Sequence, residues 1–298
     1  MMKMDSGIYY NIPSKEYHSW TDIVSNSYLG RLSKVPACAK IPQEETEAMK
    51  FGRAFHCYVL EEENFNKEFV VPSVFPVKPN KRSTQKTIDT YNEWLKSLNG
   101  KQPVTQDDFE TIQEMKEATL THPFAYQLLK EGISETTLIW QDEETGLQCK
   151  ARPDRIPDGN KGVILDLKST NNASKSAFQG DCVKFGYARE GAIYLEGFGK
   201  VTGALYQDLI FACIAVEKEP PYRTEVYTIE QDFLQYGWGE FHRLLQIEKE
   251  CRDNEFWPHY NNPGADTLFK PAYVKTWEWE PVDSLPRDFK RGDKYVEV

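Results

Sequence analysis

The sequence feature that most constrains the fold is a short apolar stretch, residues 162–169, which carries two charged side chains, Asp166 and Lys168. Side chains of a β-strand alternate between its two faces, so these two share one face while Leu165 and Leu167 share the other. A charge on an otherwise apolar strand is unfavourable unless it pairs with another group or binds one. The chain must therefore fold so that this strand meets a partner for its charges.

A second stretch, residues 147–156, is predicted to be the preceding strand and contains a Pro-Asp pair that ends at Asp154. Residues 157–161 include proline, glycine and asparagine, which predicts a turn between the two strands. The resulting hairpin is expected to bring the carboxylates of Asp154 and Asp166 close together.

Two neighbouring carboxylates repel each other, and a divalent cation relieves that repulsion. Oxygen ligands favour Mg²⁺ or Mn²⁺. A lysine two residues beyond a carboxylate ligand, as Lys168 is beyond Asp166, can contact the attacking water or the scissile phosphate. The pattern therefore indicates metal-assisted hydrolysis of a phosphodiester. The alternative is a plain ion pair between these two side chains on an exposed strand.

The order of motifs along the chain resembles that of PD-(D/E)XK nucleases, and most fully that of the C-terminal nuclease domain of RecE-type exonucleases. The signature pairs the Pro-Asp motif with Asp166-Leu167-Lys168. The resemblance covers about residues 8–260 and includes further segments: Tyr17-His18, Ser25-Asn26-Ser27, residues 51–61, Ser134-Glu135 with Trp140, residues 144–154, and Trp257-Pro258.

The resemblance implies a role for each matching residue of the signature. His56 is expected to be a metal ligand delivered from a helix, with Asp154 and Asp166 as the carboxylate ligands. The carbonyl of Leu167 is expected to supply a further oxygen, and Lys168 to orient the attacking water.

Two more acidic residues fall at positions of the family pattern. Glu135 matches an acidic residue on the first strand of the β region and is implied near a second metal or its water. Tyr187 and Glu190 fall in a helix where the family has Tyr-x-x-Gln-x-x-x-Tyr, so a glutamate replaces the glutamine. An ionised glutamate cannot donate a hydrogen bond to phosphate. Glu190 is therefore protonated, binds metal or faces away.

The charge distribution bears on whether the chain binds DNA. A net charge of −10 over 298 residues taken alone argues against a nucleic-acid partner. However, residues 72–86 hold four basic residues and no acidic one. We predict DNA contacts from this loop, through Lys78, Lys81 and Arg82, and from Arg152 on the strand face of Asp154. The acidic surface is expected to point outward.

A helix is predicted to begin at Ser25 or Asn26 and to run to residue 32. Free backbone N–H groups at its start suit an anion, and Ser25, Ser27 and Arg31 could add donors. We therefore predict that this corner binds a terminal 5′-phosphate. The alternative is an ordinary serine cap with no ligand.

The fold class predicted is α/β (mixed α+β), with a restriction-endonuclease-like core: a central mixed sheet flanked by helices. One nuclease domain is expected over residues 1–298, mainly helical in 1–130, with the core in 131–260 and an irregular tail in 261–298. Residues 1–24 look irregular. The three strands 135–142, 147–156 and 162–169 are expected to form one antiparallel meander. A helix over 185–196, a strand over 204–216 and a helix over 231–254 are predicted to follow.

The resemblance implies a metal-dependent 5′-to-3′ exodeoxyribonuclease that acts on linear double-stranded DNA and leaves 3′ single-stranded tails for recombination. It further implies a single-strand annealing partner of RecT type and a ring-shaped homo-oligomer around DNA. Because neither an apolar leader nor a membrane-length apolar run is seen, a cytoplasmic protein without membrane partners is expected.

Two other functions remain open. The first is another nuclease of the same fold, either an endonuclease or a Cas4-like enzyme. Six scattered cysteines without a Cys-x-x-Cys pair argue against the Cas4-like type. The second is a catalytically inactive DNA-binding or assembly protein.

Overall fold

The computed structural model describes residues 4–41, 43–158 and 162–259. The first part is mainly helical, as predicted, and contains β1 (Gly7–Tyr9), α1 (Ser14–Ser19), α2 (Asn26–Leu32), α3 (Glu47–Leu60), α4 (Glu62–Glu68), β2 (Phe69–Val70), α5 (Gln85–Ser97), β3 (Gln102–Pro103), α6 (Gln106–Thr121) and α7 (Pro123–Leu129). The second part contains β4 (Gly132–Ser134), β5 (Thr137–Gln141), β6 (Gln148–Ala151), β7 (Arg155–Pro157), β8 (Val163–Thr170), α8 (Lys175–Phe185), α9 (Tyr187–Thr202), β9 (Ile210–Glu217), β10 (Thr224–Thr228) and α10 (Gln231–Asp253).

Side-chain caps define where several helices begin. Helices α2, α3, α5 and α6 each follow a serine or threonine whose hydroxyl accepts a hydrogen bond from the backbone N–H three residues later. Such a cap contributes about 1 kcal/mol. The cap at Thr46 explains why α3 begins at Glu47. The predicted cap of α2 at Ser25 is confirmed.

A five-stranded mixed sheet lies at the centre, in the order β10-β9-β8-β7-β4. Strands β8 and β9 are parallel and the other pairs are antiparallel. Arg155 lies opposite Leu165, so β7 and β8 pair as the sequence predicts. The predicted α/β class with a central mixed sheet is confirmed.

Helices cover both faces of this sheet. Leu165 and Leu167 of β8 are buried in one apolar cluster with Phe55 of α3 and Ile112 of α6. Ile164 faces the other way, into a cluster with side chains of α9 and α10. Burying one such side chain fully is worth about 1.5–3 kcal/mol. These clusters fix β8, and the two charged side chains on it, between two layers of helices.

A smaller sheet, in the order β1-β5-β6, lies beside the central one, and the predicted meander is wrong here. Residues 147–156 form two strands in different sheets, β6 and β7, separated at residues 152–154. Pro153 lies in this break and has no N–H to donate to a strand ladder. Arg152 and Asp154 therefore do not share the face of one continuous strand.

Three other predictions also differ from the structure. Residues 1–24 were expected to be irregular but include β1 and α1, because β1 pairs with β5 over Gly7–Tyr9. The helical segment from 185 breaks at Gly186, whose φ of +73° suits glycine, and α9 starts directly after it. Strand β9 begins at Ile210, after a 3-10 turn over Tyr206–Asp208.

Part of the predicted organisation falls on residues that are not described. Residues 159–161 of the predicted turn and the predicted tail 261–298 lie outside the described residues, and the single-domain boundaries stay a prediction. Among the described residues, the helices are too short or too polar to cross a membrane.

Candidate active site

The candidate site lies where the chain passes twice between the two sheets. The first crossing, from β4 to β5, contains Glu135, and the second, from β6 to β7, contains Asp154. The two crossings run side by side, because the N–H of Glu135 donates to the carbonyl of Asp154 at 3.1 Å. Glu135 has a φ of +49°, an uncommon conformation for a residue with a side chain. The prediction that Glu135 lies on a strand is therefore wrong: it occupies a strained connection.

Helix α3 brings His56 to the same place. The imidazole Nδ1 of His56 lies 3.3 Å from Oδ2 of Asp154. The same carboxylate oxygen accepts the backbone N–H of Leu167 at 2.6 Å, which ties the crossing to β8. The ligand atoms of His56, Glu135 and Asp154 all lie within 4.8 Å of one another, and we call these three residues the His56 cluster.

The pKa values in the His56 cluster reflect crowded charge. Burial and the neighbouring carboxylate of Asp154 raise the pKa of Glu135 to about 8. Burial alone would lower the pKa of His56, but Asp154 outweighs it and raises that pKa to about 9. Burial opposes ionisation of Asp154, yet His56 holds the pKa of this carboxyl below its usual range. Two carboxylates and an imidazole fit a divalent cation such as Mg²⁺ or Mn²⁺.

Lys168 lies next to this cluster, between two further carboxylates. Its Nζ is 2.6 Å from Oδ2 of Asp166 and 2.7 Å from Oε2 of Glu190. Burial disfavours the charged lysine, but the two carboxylates prevail and raise the pKa of Lys168 well above its usual range. Asp166 does not join the 4.8 Å grouping of the His56 cluster. Its role as a metal ligand, like that of the Leu167 carbonyl, stays a prediction.

Glu190 points into the site, so the idea that it faces away is wrong. Besides its contact with Lys168, its Oε1 accepts from Nδ2 of Asn26 at 3.4 Å and from the Tyr194 hydroxyl at 3.5 Å. Tyr187, one turn earlier on α9, places its ring 4.5 Å from the Lys168 ammonium. The glutamate that replaces the family glutamine thus anchors the lysine.

The corner predicted to bind phosphate is next to the site, because Asn26, the first residue of α2, contacts Glu190. Ser25 Oγ accepts the N–H of Tyr28 as a cap and lies 3.1 Å from Ser27 Oγ. Arg31 donates to two backbone carbonyls, those of Ala39 and Ser27, each at 3.2 Å. These contacts favour the capping alternative, and binding of a 5′-phosphate stays a prediction.

The other predicted DNA contacts lie in two different settings. Lys78, Lys81 and Arg82 are exposed, but Lys78 lies 2.6 Å from a carboxylate oxygen of Glu47, which offsets part of the loop's charge. Arg152 is largely buried and donates to the hydroxyl of Thr137. These contacts make Arg152 a support of the site, and its contact with DNA stays a prediction.

A groove of about 1270 Å³, which was not anticipated from the sequence, adjoins the site along α3. Arg53 lies in it, three residues before His56 and on the same side of the helix. This three-residue spacing from His56 is the sequence signal that places Arg53 on the side of α3 that faces the site. Ser25, Ser27 and Arg31 also line the groove. Its walls carry four acidic residues against seven basic ones, namely Lys15, Arg31, Lys40, Arg53, Lys67, Lys150 and Arg252.

The fold and the site together define a nuclease domain of the PD-(D/E)XK class. Over residues 33–265 the sequence matches the family described as "PDDEXK-like domain of unknown function (DUF3799)", and the chain belongs to that family. No curated protein matches the sequence.

A solved structure of a candidate exonuclease from Eubacterium rectale shares the fold, with a TM-score of 0.55 and 14% identity, covering 90% of this chain and 98% of that one. At this identity the likeness concerns the fold alone. The protein SSO0001 aligns over 83% of this chain and 89% of its own, at 11% identity. Its TM-score of 0.27 is too low to indicate a shared fold.

Proposed function

We propose that this chain is a metal-dependent 5′-to-3′ exodeoxyribonuclease that acts on linear double-stranded DNA and leaves 3′ single-stranded tails. The observation that carries the hydrolytic part is the convergence of His56, Glu135 and Asp154 beside a buried, positively charged Lys168. The direction of digestion follows from the resemblance to RecE-type exonucleases.

Within this proposal, His56, Glu135 and Asp154 hold a divalent cation, Mg²⁺ or Mn²⁺, with Asp166 and the Leu167 carbonyl as further ligands. When bound, the cation lowers the pKa of water and offsets negative charge on the phosphate. The neighbouring carboxylates of Glu135 and Asp154 support this assignment, because their mutual repulsion is relieved by a cation.

Lys168 contributes a fixed positive charge. Since Asp166 and Glu190 keep its ammonium ionised, Lys168 donates hydrogen bonds to the attacking water or to a phosphate oxygen and does not act as a base. Glu190 holds the ammonium in place and is itself held by Asn26 and Tyr194.

DNA is proposed to reach the site along the basic groove, with Ser25, Ser27 and Arg31 at its terminal phosphate. The loop that carries Lys78, Lys81 and Arg82 contacts the duplex outside the site. We further propose a ring-shaped homo-oligomer, an annealing partner of RecT type and a cytoplasmic location. Light scattering on the purified chain tests the oligomer, and co-purification with a RecT-type protein tests the partner.

The deciding experiment is digestion of linear duplex DNA labelled at the 5′ or the 3′ end, with Mg²⁺, Mn²⁺ or EDTA. Metal-dependent release of the 5′ label first, with closed circles left intact, is the expected result. Cleavage of closed circles would make the chain an endonuclease. Binding of duplex without cleavage in either metal would make it a DNA-binding or assembly protein.

A further inference from the structure

An exposed aromatic side chain lies at the break between α8 and α9. Phe185, the last residue of α8, is 52% exposed. Its ring centroid lies 5.9 Å from that of Tyr187, and the two planes differ by only 28°. Near-parallel rings this far apart are offset and do not cover each other, so Phe185 leaves ring surface open, while Tyr187 is partly buried. An exposed phenylalanine on its own would be ordinary, but this one continues the surface of a ring at the candidate site.

The two rings are the outer end of an aromatic column. Tyr187 packs at 5.8 Å against Phe178, which is buried, and Phe178 stacks at 5.2 Å on Tyr227 with planes 20° apart. The hydroxyl of Tyr227 donates to the carbonyl of Ala173 at 2.8 Å. The column therefore holds Tyr187 in a fixed orientation, and the outer ring of Phe185 is supported from the protein interior.

A lysine ammonium lies over each of the two rings. The Lys168 ammonium is 4.5 Å from the Tyr187 ring centroid, and the Lys184 ammonium is 5.0 Å from that of Phe185. Flat aromatic surface next to ammonium groups matches the two halves of a nucleotide, a base with open π-faces and a phosphate. A purely apolar ligand would use the rings but not the charges.

We propose that Phe185 and Tyr187 form a stacking surface for a nucleobase of the DNA strand whose phosphate reaches Lys168. The inference rests on the proposed function, since it places DNA at this site. Because every base has a π-face, such a surface orients the nucleotide beside the reacting phosphate without selecting its sequence.

The test uses the full chain and duplexes that carry 2-aminopurine at one of the first four positions from the 5′ end, in EDTA so that no hydrolysis occurs. The unaltered protein is expected to quench the fluorescence at one or two positions. Phe185→Ala should remove that quenching and weaken binding about tenfold, as expected for the loss of one stacked base. Phe185→Trp should restore both.

Phe124→Ala is the matched control, because Phe124 is 55% exposed on α7 and has no place in the site. It should bind and quench like the unaltered protein, and melting curves should show all variants folded. Unchanged quenching by Phe185→Ala would overturn the stacking surface even if the protein digests DNA. Quenching lost in Phe185→Ala but no cleavage in any metal would keep the stacking surface and overturn the nuclease. If the unaltered protein does not bind DNA, both fail.

Discussion

Two places in the described residues bring one histidine and two carboxylates together, and they differ in how these charges are satisfied. One is the His56 cluster. The other consists of His242, Asp142 and Glu196, which we call the His242 cluster. Glu135 precedes β5 and Asp142 follows it. At about 3.3 Å per strand residue, the two clusters lie roughly 20 Å apart along that strand.

The carboxylates of the His242 cluster have partners within the protein. Nε2 of His242 lies 2.8 Å from Glu196, and Nδ1 lies 3.7 Å from Asp142. Asp142 also accepts the backbone N–H and the hydroxyl of Thr145. The ring of Trp238 packs 4.1 Å from the imidazole. Here the histidine bridges α10 to α9 and to the β5–β6 turn.

The carboxylates of the His56 cluster are less well paired. His56 contacts Asp154, while the cation nearest to Glu135 is Arg152 at 4.0 Å. Asp166 and Glu190 lie close by and share only Lys168. Residue types alone therefore do not distinguish a metal site from a structural ion pair. The distinction lies in the contacts of the individual carboxylates: both carboxylates of the His242 cluster contact the imidazole, whereas Glu135 of the His56 cluster has Arg152 only at 4.0 Å.

The largest expected difference between the clusters is in catalysis. Asp154→Asn should lower metal-dependent hydrolysis about a thousandfold, because it removes a proposed ligand and the charge stabilisation that the cation provides. Asp142→Asn should leave the rate within about twofold. Initial rates on end-labelled duplex measure both, with circular dichroism to check folding. Comparable rates for the two variants would show that the His56 cluster is no more important for catalysis than the His242 cluster.

For stability, the large effect is expected from a variant of the His242 cluster. His242→Ala leaves two buried carboxylates without their shared partner and should cost about 3 kcal/mol of unfolding free energy. Urea denaturation without metal measures this, and Glu143→Ala, at an exposed carboxylate one residue from Asp142, serves as the control for surface effects. A loss below about 1 kcal/mol for His242→Ala would show that the bridge is not structural.

The loss in Mn²⁺ affinity on removing the histidine should be about tenfold larger for the His56 cluster than for the His242 cluster. Mn²⁺ at about 100 times its dissociation constant should raise the unfolding free energy by about 2.7 kcal/mol. His56→Ala should weaken Mn²⁺ binding at least about tenfold, whereas His242→Ala should not change it. Calorimetric titration gives the affinities. Weaker binding in His242→Ala alone would move the metal to the other cluster.

The smallest effect concerns pH. Burial would lower the pKa of His242, but Glu196, Asp142 and Glu144 raise it above 6.5. A histidine pKa that is higher in the folded state adds stability, which is fully present below about pH 6.5 and is lost as the pH rises through the folded value. The stability difference between the unaltered protein and His242→Gln should therefore shrink from pH 6 to pH 9. A difference that is constant over this range would show that the imidazole is not protonated.

Much of the site could be predicted from local sequence. The alternation of Asp166 and Lys168 with leucines, and the Pro-Asp pair before the turn, identify the pairing of β7 with β8. The break after Ala151 has a local signal in Pro153, which has no N–H for a strand ladder. What no short pattern shows is that the β5–β6 hairpin pairs with β1, about 130 residues earlier in the sequence, and not with the central sheet.

Other features depend on residues that are far apart in the sequence. The contact of Glu190 with Lys168 requires the angle at which α9 crosses β8. The His242 cluster joins three residues, each about fifty positions from the next in the sequence, and each looks ordinary in its own segment. Arg53 differs from these residues, since its three-residue spacing from His56 on α3 is visible in the sequence.

The side-by-side crossings that carry Glu135 and Asp154 place a limit on how the chain length can vary. Glu135 directly follows β4 and Asp154 directly precedes β7. One residue added in either connection could therefore move its carboxylate by up to about 3.5 Å from the other members of the His56 cluster, and two residues by up to about 7 Å. Insertions should therefore be tolerated in the exposed loop between β2 and α5 and rejected at these two connections, whatever their composition.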